Sequence, residues 1–116
     1  MNLDELILNI KNLSEGNISV LGLILYLEDW KINNKTVPEL NQTIEKFRDG
    51  FWPNENETNL LKILTTLYDF QNEIILNIGG MTINERLYLF SLFDRFDSCK
   101  NNNGKETIYH KLLVKQ

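Results

Sequence analysis

The sequence predicts an all-α fold. Residues 1–116 form a single helical domain, a bundle of about five to six helices around a central helix at 83–97. Three observations predict it. Apolar residues recur at i, i+3, i+4 and i+7 rather than in strict alternation, which is the period of a helix with one buried face. Threonines followed three residues later by glutamate, Thr36/Glu39 and Thr82/Glu85, have the spacing of reciprocal N-terminal caps. Glycines and asparagine runs fall between the periodic segments, where helices must stop. A chain of 116 residues has room for one substantial core and not for two.

The segment Met81 to Asp97 is the most strongly marked. Thr82 caps, Gly79-Gly80 closes whatever precedes it, and the helix starts at Ile83. At about 100° per residue, Ile83, Leu87, Leu89, Phe90, Phe93 and Phe96 fill about half the circumference, wider than the stripe of a surface helix. Arg86, Asp94 and Asp97 project into or beside that arc, while Tyr88, Ser91 and Arg95 lie opposite. Charges so placed must be paired or must reach water at the helix ends.

The other elements follow in order. Leu3, Leu6, Ile7, Ile10 and Leu13 predict a first helix over about 3–14, stopped near Gly16. Ile18 to Trp30 is apolar on nearly every face, through Val20, Leu21, Leu23, Ile24, Leu25 and Leu27. It is too long for an ordinary strand and leads into helical spacing at Leu27 to Lys31, so it is read as a helix, with a buried strand over Ile18–Leu27 as the alternative. Thr36-Val37-Pro38-Glu39 opens a third helix, proline falling in the first turn, and Leu40, Ile44 and Phe47 carry it to Gly50. Asn54 and Glu57 have cap spacing for a long helix from about Glu55 to Ile78, with Leu60, Leu61, Leu64, Leu67, Tyr68, Ile74, Ile75 and Ile78 inward. Asn101-Asn102-Asn103-Gly104 reads as a loop, and a last helix over about Lys105–Val114 packs through Ile108, Leu112 and Leu113.

Sixteen acids against twelve bases give a net charge of −4, which disfavours non-specific binding to nucleic acid or to an anionic membrane. Such a chain prefers basic partners. The single cysteine, Cys99, excludes an intramolecular disulfide and a cysteine-based metal cluster, and a reducing cytoplasm is the expected compartment. The N-terminal segment carries acids where a signal peptide needs positive charge, and no apolar run approaches the roughly twenty residues of a membrane span.

The residue patterns of catalysis are sparse. His110 is the only histidine and stands eleven residues from Cys99, with no third group to orient a nucleophilic pair. No carboxylate or histidine spacing matches a metal site, and Gly79-Gly80 lacks the strand and further glycines of a phosphate loop. The chain is therefore read as a non-enzyme without cofactor or metal. Two clusters set a tryptophan beside acids, a composition common at binding hot spots: Glu28, Asp29 and Trp30, and Phe51 and Trp52 with Glu55 and Glu57. Each tryptophan has the alternative role of sealing one end of the core. Asp94 and Asp97 form a further acidic patch.

From the threonine cap through Asn84-Glu85-Arg86-Leu87, the aromatic and aliphatic run, Phe96-Asp97 and the tail SCKNNNGKETIYHKLLVKQ, the last third of the chain resembles small helical immunity proteins. These accompany contact-dependent growth inhibition and other polymorphic toxin systems in bacteria. The resemblance implies a protein that neutralises a cognate toxin domain by stoichiometric occlusion, the toxin being a nuclease with a basic substrate-binding face. An acidic domain meets such a face with electrostatically assisted association. Candidate contacts, taken from charge and aromatic placement, are Glu28, Asp29, Trp30, Trp52, Glu55 and Glu57, with Asp94 and Asp97 as the second patch. The alternative is a helical regulatory or adaptor domain, or a phage-encoded inhibitor, that binds another cellular protein. Homo-oligomerisation is open to either reading, through an exposed part of the central helix or of the run from Ile18 to Leu27.

Overall fold

Asn2 begins the fold: its side chain accepts the Glu5 amide at 2.9 Å while the Glu5 carboxylate accepts the Asn2 amide at 3.2 Å, a reciprocal cap that starts α1 (Leu3–Leu13). The computed structural model describes residues 1–54 and 56–114, and these contain seven α-helices and no strand. After α1 come α2 (Ile18–Ile32), α3 (Val37–Asp49), α4 (Thr58–Phe70), α5 (Ile83–Leu89), α6 (Phe93–Asp97) and α7 (Asn102–Lys111). A π-helical turn at Gln71–Ile75 and a 3-10 turn at Ile78–Gly80 join α4 to α5. The molecule measures 50 × 26 × 20 Å.

Helix α1 lies between α2 and α4, and α3 packs on α2, on α4 and on the π turn. Leu6, Ile10, Leu27, Ile44, Ile63 and Leu67 are among the fully buried residues of this layer. The C-terminal helices join it through aromatic rings. Phe90 meets Trp30 of α2 with centroids 5.8 Å apart and Phe70 of α4 edge-on at 6.0 Å, an arrangement that adds about 1 kcal/mol per pair beyond area burial.

Ile18–Leu27 is helical, which removes the strand alternative. Its faces are not all inward, however. Val20, Leu23, Ile24, Leu27 and Trp30 are buried against α1 and α3, whereas Ile18, Leu21, Leu25 and Ile32 face solvent.

The helix expected at 83–97 is two helices, not one. Its break is a Schellman turn: Leu92 donates to the Leu87 carbonyl at 2.8 Å and Ser91 to that of Tyr88 at 3.1 Å, with Ser91 at φ +57. Serine holds this left-handed position, where glycine is usual, because its Oγ also accepts the Asp4 amide at 3.0 Å, an otherwise open donor of the first turn of α1. The break turns Phe93 outward and brings Leu92 inside, so the centre of the molecule is the α1, α2 and α4 layer and the buried residues of 83–97 are Leu87, Phe90 and Leu92.

The expected long helix from about Glu55 to Ile78 begins at Thr58, and Glu55 lies outside the described residues. The Asn54 side chain accepts the Asn56 amide at 2.9 Å, forming a local turn rather than a helix cap. The α4 helix buries Ile63, Leu67 and Phe70, while Leu61 and Tyr68 are exposed. The inward face is thus rotated from the one expected. At the π turn, buried Gln71 accepts from Arg48 at 2.7 Å and donates to Asn41 at 2.8 Å, tying it to α3. The final helix starts at Asn102, three residues before the expected Lys105. Asn101 is its N-cap, accepting the Gly104 amide at 2.9 Å, so the asparagine run opens the helix instead of standing as a loop.

Candidate functional site

The segment between α3 and α4 presents one of the chain's two indoles, that of Trp52, to water. Phe51 stacks on Phe47 at 5.2 Å and is thereby drawn against α3. Trp52, held to extended backbone by Pro53 behind it, projects away and is 88 % exposed. The Glu57 carboxylate accepts the Asn54 amide at 3.2 Å and stands half-buried at the foot of α4. Residues Asn56–Leu60 then form one wall of a polar cleft of about 430 Å3, whose other wall is the α1–α2 turn, Leu13–Asn17. Across it Asn59 donates to Glu15 at 2.6 Å, and Glu15 and Gly16 hold φ of 48 and 76. Glu15 and Asn59 carry no sequence pattern that would have marked them; the fold alone brings them together.

Trp30 takes the other of the two roles expected of a tryptophan. It is 0 % exposed and its indole N–H donates to the Thr36 carbonyl at 3.0 Å, so it is not available to a partner and leaves the set of candidate contacts. Its sequence neighbours Glu28 and Asp29 lie on the other side of α2, because adjacent helical residues do not share a face. Glu28 pairs with Lys11 of α1 at 2.6 Å, and Asp29 is exposed.

Asp94 and Asp97 are both exposed on α6. Asp94 borders a small hollow with Asn2, Asp4 and Tyr88. Between the two aspartates Arg95 turns inward, donating to the Lys31 and Asn33 carbonyls at 3.0 and 2.8 Å and to the Asn34 side chain at 3.0 Å. The α6 patch therefore sits at the C-terminal end of α2, and the cleft beside the Trp52 segment sits at its N-terminal end. Fifteen helical residues put the two roughly 20 Å apart.

Three cations serve the structure by capping open carbonyls. Arg86, expected to need a partner, donates to Leu112 and Leu113 at 2.9 Å each, and Arg95, expected on the outer side, caps α2. Lys111 is the third and is fully buried. It donates to the carbonyls of Trp30, Asn33 and Lys35 and lies 3.7 Å from the centre of the Trp30 ring. Burial lowers its ammonium pKa to about 7, with Arg95 acting in the same direction and Glu39 against it. Its place one turn beyond Ile108, at the margin of the apolar face of α7, is the signal by which the sequence could have marked it.

His110 is exposed, and the half-buried Cys99 thiol donates to the Arg95 carbonyl at 3.3 Å. No helix among the described residues is long and apolar enough to cross a membrane, and no group of three potential metal ligands occurs among them. Comparison with models of protein families, with curated proteins and with solved structures finds no match to this chain.

Proposed function

We propose that this chain is an immunity protein that binds a cognate bacterial toxin domain, a nuclease with a basic face, and neutralises it by stoichiometric occlusion. The observation that carries the reading is Trp52. A tryptophan 88 % exposed, on a segment braced by the Phe47–Phe51 stack, offers a large apolar surface with little side-chain entropy to lose on binding. Glu57 and Glu15 stand beside the adjoining cleft, and the net charge of −4 favours fast encounter with a basic surface. Trp52 anchors, the acids steer and fix orientation, and inhibition follows from covering the toxin's substrate face. Asp94 and Asp97 form a second patch, engaged only by a partner that reaches the far end of α2.

The experiment is a pulldown from the source bacterium with tagged protein as bait and a moderate-salt wash, run in parallel with Trp52→Ala. Near one-to-one recovery of the C-terminal fragment of a large secreted protein, lost in the variant, is the expected result. Recovery of a housekeeping protein instead, or of this chain alone, overturns the immunity reading.

A further inference from the structure

We infer that the solvent face of α2 is a self-association surface, on which two copies of this chain pack their α2 helices antiparallel about a two-fold axis at Leu25. The inference is independent of the toxin-binding reading, since the Trp52 segment lies beyond the N-terminal end of α2.

Helix α2 is apolar on both sides, yet the other described residues cover only one of them. On the uncovered side Ile18 is 85 % exposed, Leu25 66 % and Ile32 72 %, with Leu21 between them. A helix apolar all round belongs in an interior, and one left half-bare lacks a neighbour. Leu8 of α1 extends the patch, sharing a hollow with Ile32. Ile18, Leu21 and Leu25 form one exposed apolar stretch and Ile32 with Leu8 a second, with Glu28 and Asp29 on the turn between them, and apolar surface interspersed with polar groups in this way has the composition of an interaction site.

Three features fit a second copy in particular. The first is symmetry: Ile18 and Ile32 stand seven residues either side of Leu25, so antiparallel pairing sets each isoleucine against its counterpart and Leu25 against itself. A two-fold interface requires this self-matching. The second is room. Gly22 carries nothing within 4 Å of where a Cβ would be, and antiparallel pairing places Asp29 of the second copy beside it. A mid-helix glycine is unfavourable unless something approaches closely. The third is charge. Helix α2 has no acid in its first turn and carries Glu28 and Asp29 towards its C-terminal end, where they oppose its own dipole. In the antiparallel pair each Asp29 lies beside Gly22 in the N-terminal half of the other helix, so the acids of the two copies stay at opposite ends and like charges are not brought together.

Sedimentation equilibrium of the purified chain up to about 0.5 mM should show a concentration-dependent species of twice the chain mass. Leu25→Asp should abolish it while leaving the far-UV circular dichroism unchanged, because Leu25 is mostly in water. In a Cys99→Ser background, Leu25→Cys should form a symmetric disulfide dimer under mild oxidation, and Trp52→Cys should not. A monomer throughout that range overturns the proposal, as does a dimer that survives Leu25→Asp. A monomer whose toxin binding is lost on Leu25→Asp also overturns it and gives the face to a different protein. Loss of toxin binding in Trp52→Ala with the dimer intact leaves this inference standing apart from the function proposed above.

Discussion

The Lys111 ammonium lies 3.7 Å from the centre of the Trp30 ring and donates to the carbonyl of that same residue, so one side chain of α7 holds the end of α2 by both its backbone and its indole. The remaining donors go to Asn33 and Lys35, so the α2–α3 connection closes around a buried cation.

Stability should depend on pH through this lysine. Its pKa is about 7 in the folded chain and 10.5 in the unfolded one. Between those values the unfolded state binds more protons, so the folded state gains as pH rises through the window, and below about pH 7 the full cost of a buried charge is present. Urea midpoints of the native protein and of Lys111→Met, compared at pH 6 and pH 9, should diverge in favour of the native protein at the higher pH. A few kcal/mol is the outer limit of that change. A difference independent of pH would refute the assignment.

Removing Arg95 should destabilise the fold by about 2–3 kcal/mol, since it leaves the Lys31 and Asn33 carbonyls without their charged donor. Arg95→Lys should recover only part of this, because an ammonium cannot reproduce the planar fork that also reaches Asn34. Chemical denaturation of the two variants measures both effects.

Two residues other than glycine stand at the left-handed ends of Schellman turns, and they should respond oppositely to glycine. Leu113 has φ 60 and is half exposed, so Leu113→Gly should be neutral or stabilise by up to ~1 kcal/mol. Ser91→Gly also relieves its backbone but loses the bond from the Asp4 amide, so it should not stabilise, and Ser91→Ala, which keeps the strain, should be worse than either. Thermal midpoints of the three variants rank them.

The two tryptophans should separate cleanly. Trp52→Phe should leave a blue-shifted emission shielded from iodide, that of Trp30, and Trp52→Ala should change stability by less than about 0.5 kcal/mol. Trp30→Ala should cost about 3–5 kcal/mol. If both tryptophans are quenched equally, the burial of Trp30 is wrong.

What local sequence determines, it determined here. The caps at Thr36 and Thr82, the stop at Gly50 and the periodicity of residues 3–13 each act within one or two turns, and each helix they mark is present. What depends on contacts distant in sequence was decided only by the tertiary structure. Apolar content made residues 83–97 one helix by periodicity, but a backbone bond from Asp4, 87 residues away, pays for a serine in a glycine's conformation and divides it. The same limit governs the candidate site. Glu28, Asp29 and Trp30 are neighbours in the chain, yet α3 and α7 bury the tryptophan and leave Asp29 in water. Which face of an all-apolar helix stays bare, and which tryptophan a partner can reach, follow from what packs against them. Periodicity along one segment cannot encode that, because the covering residues belong to other segments.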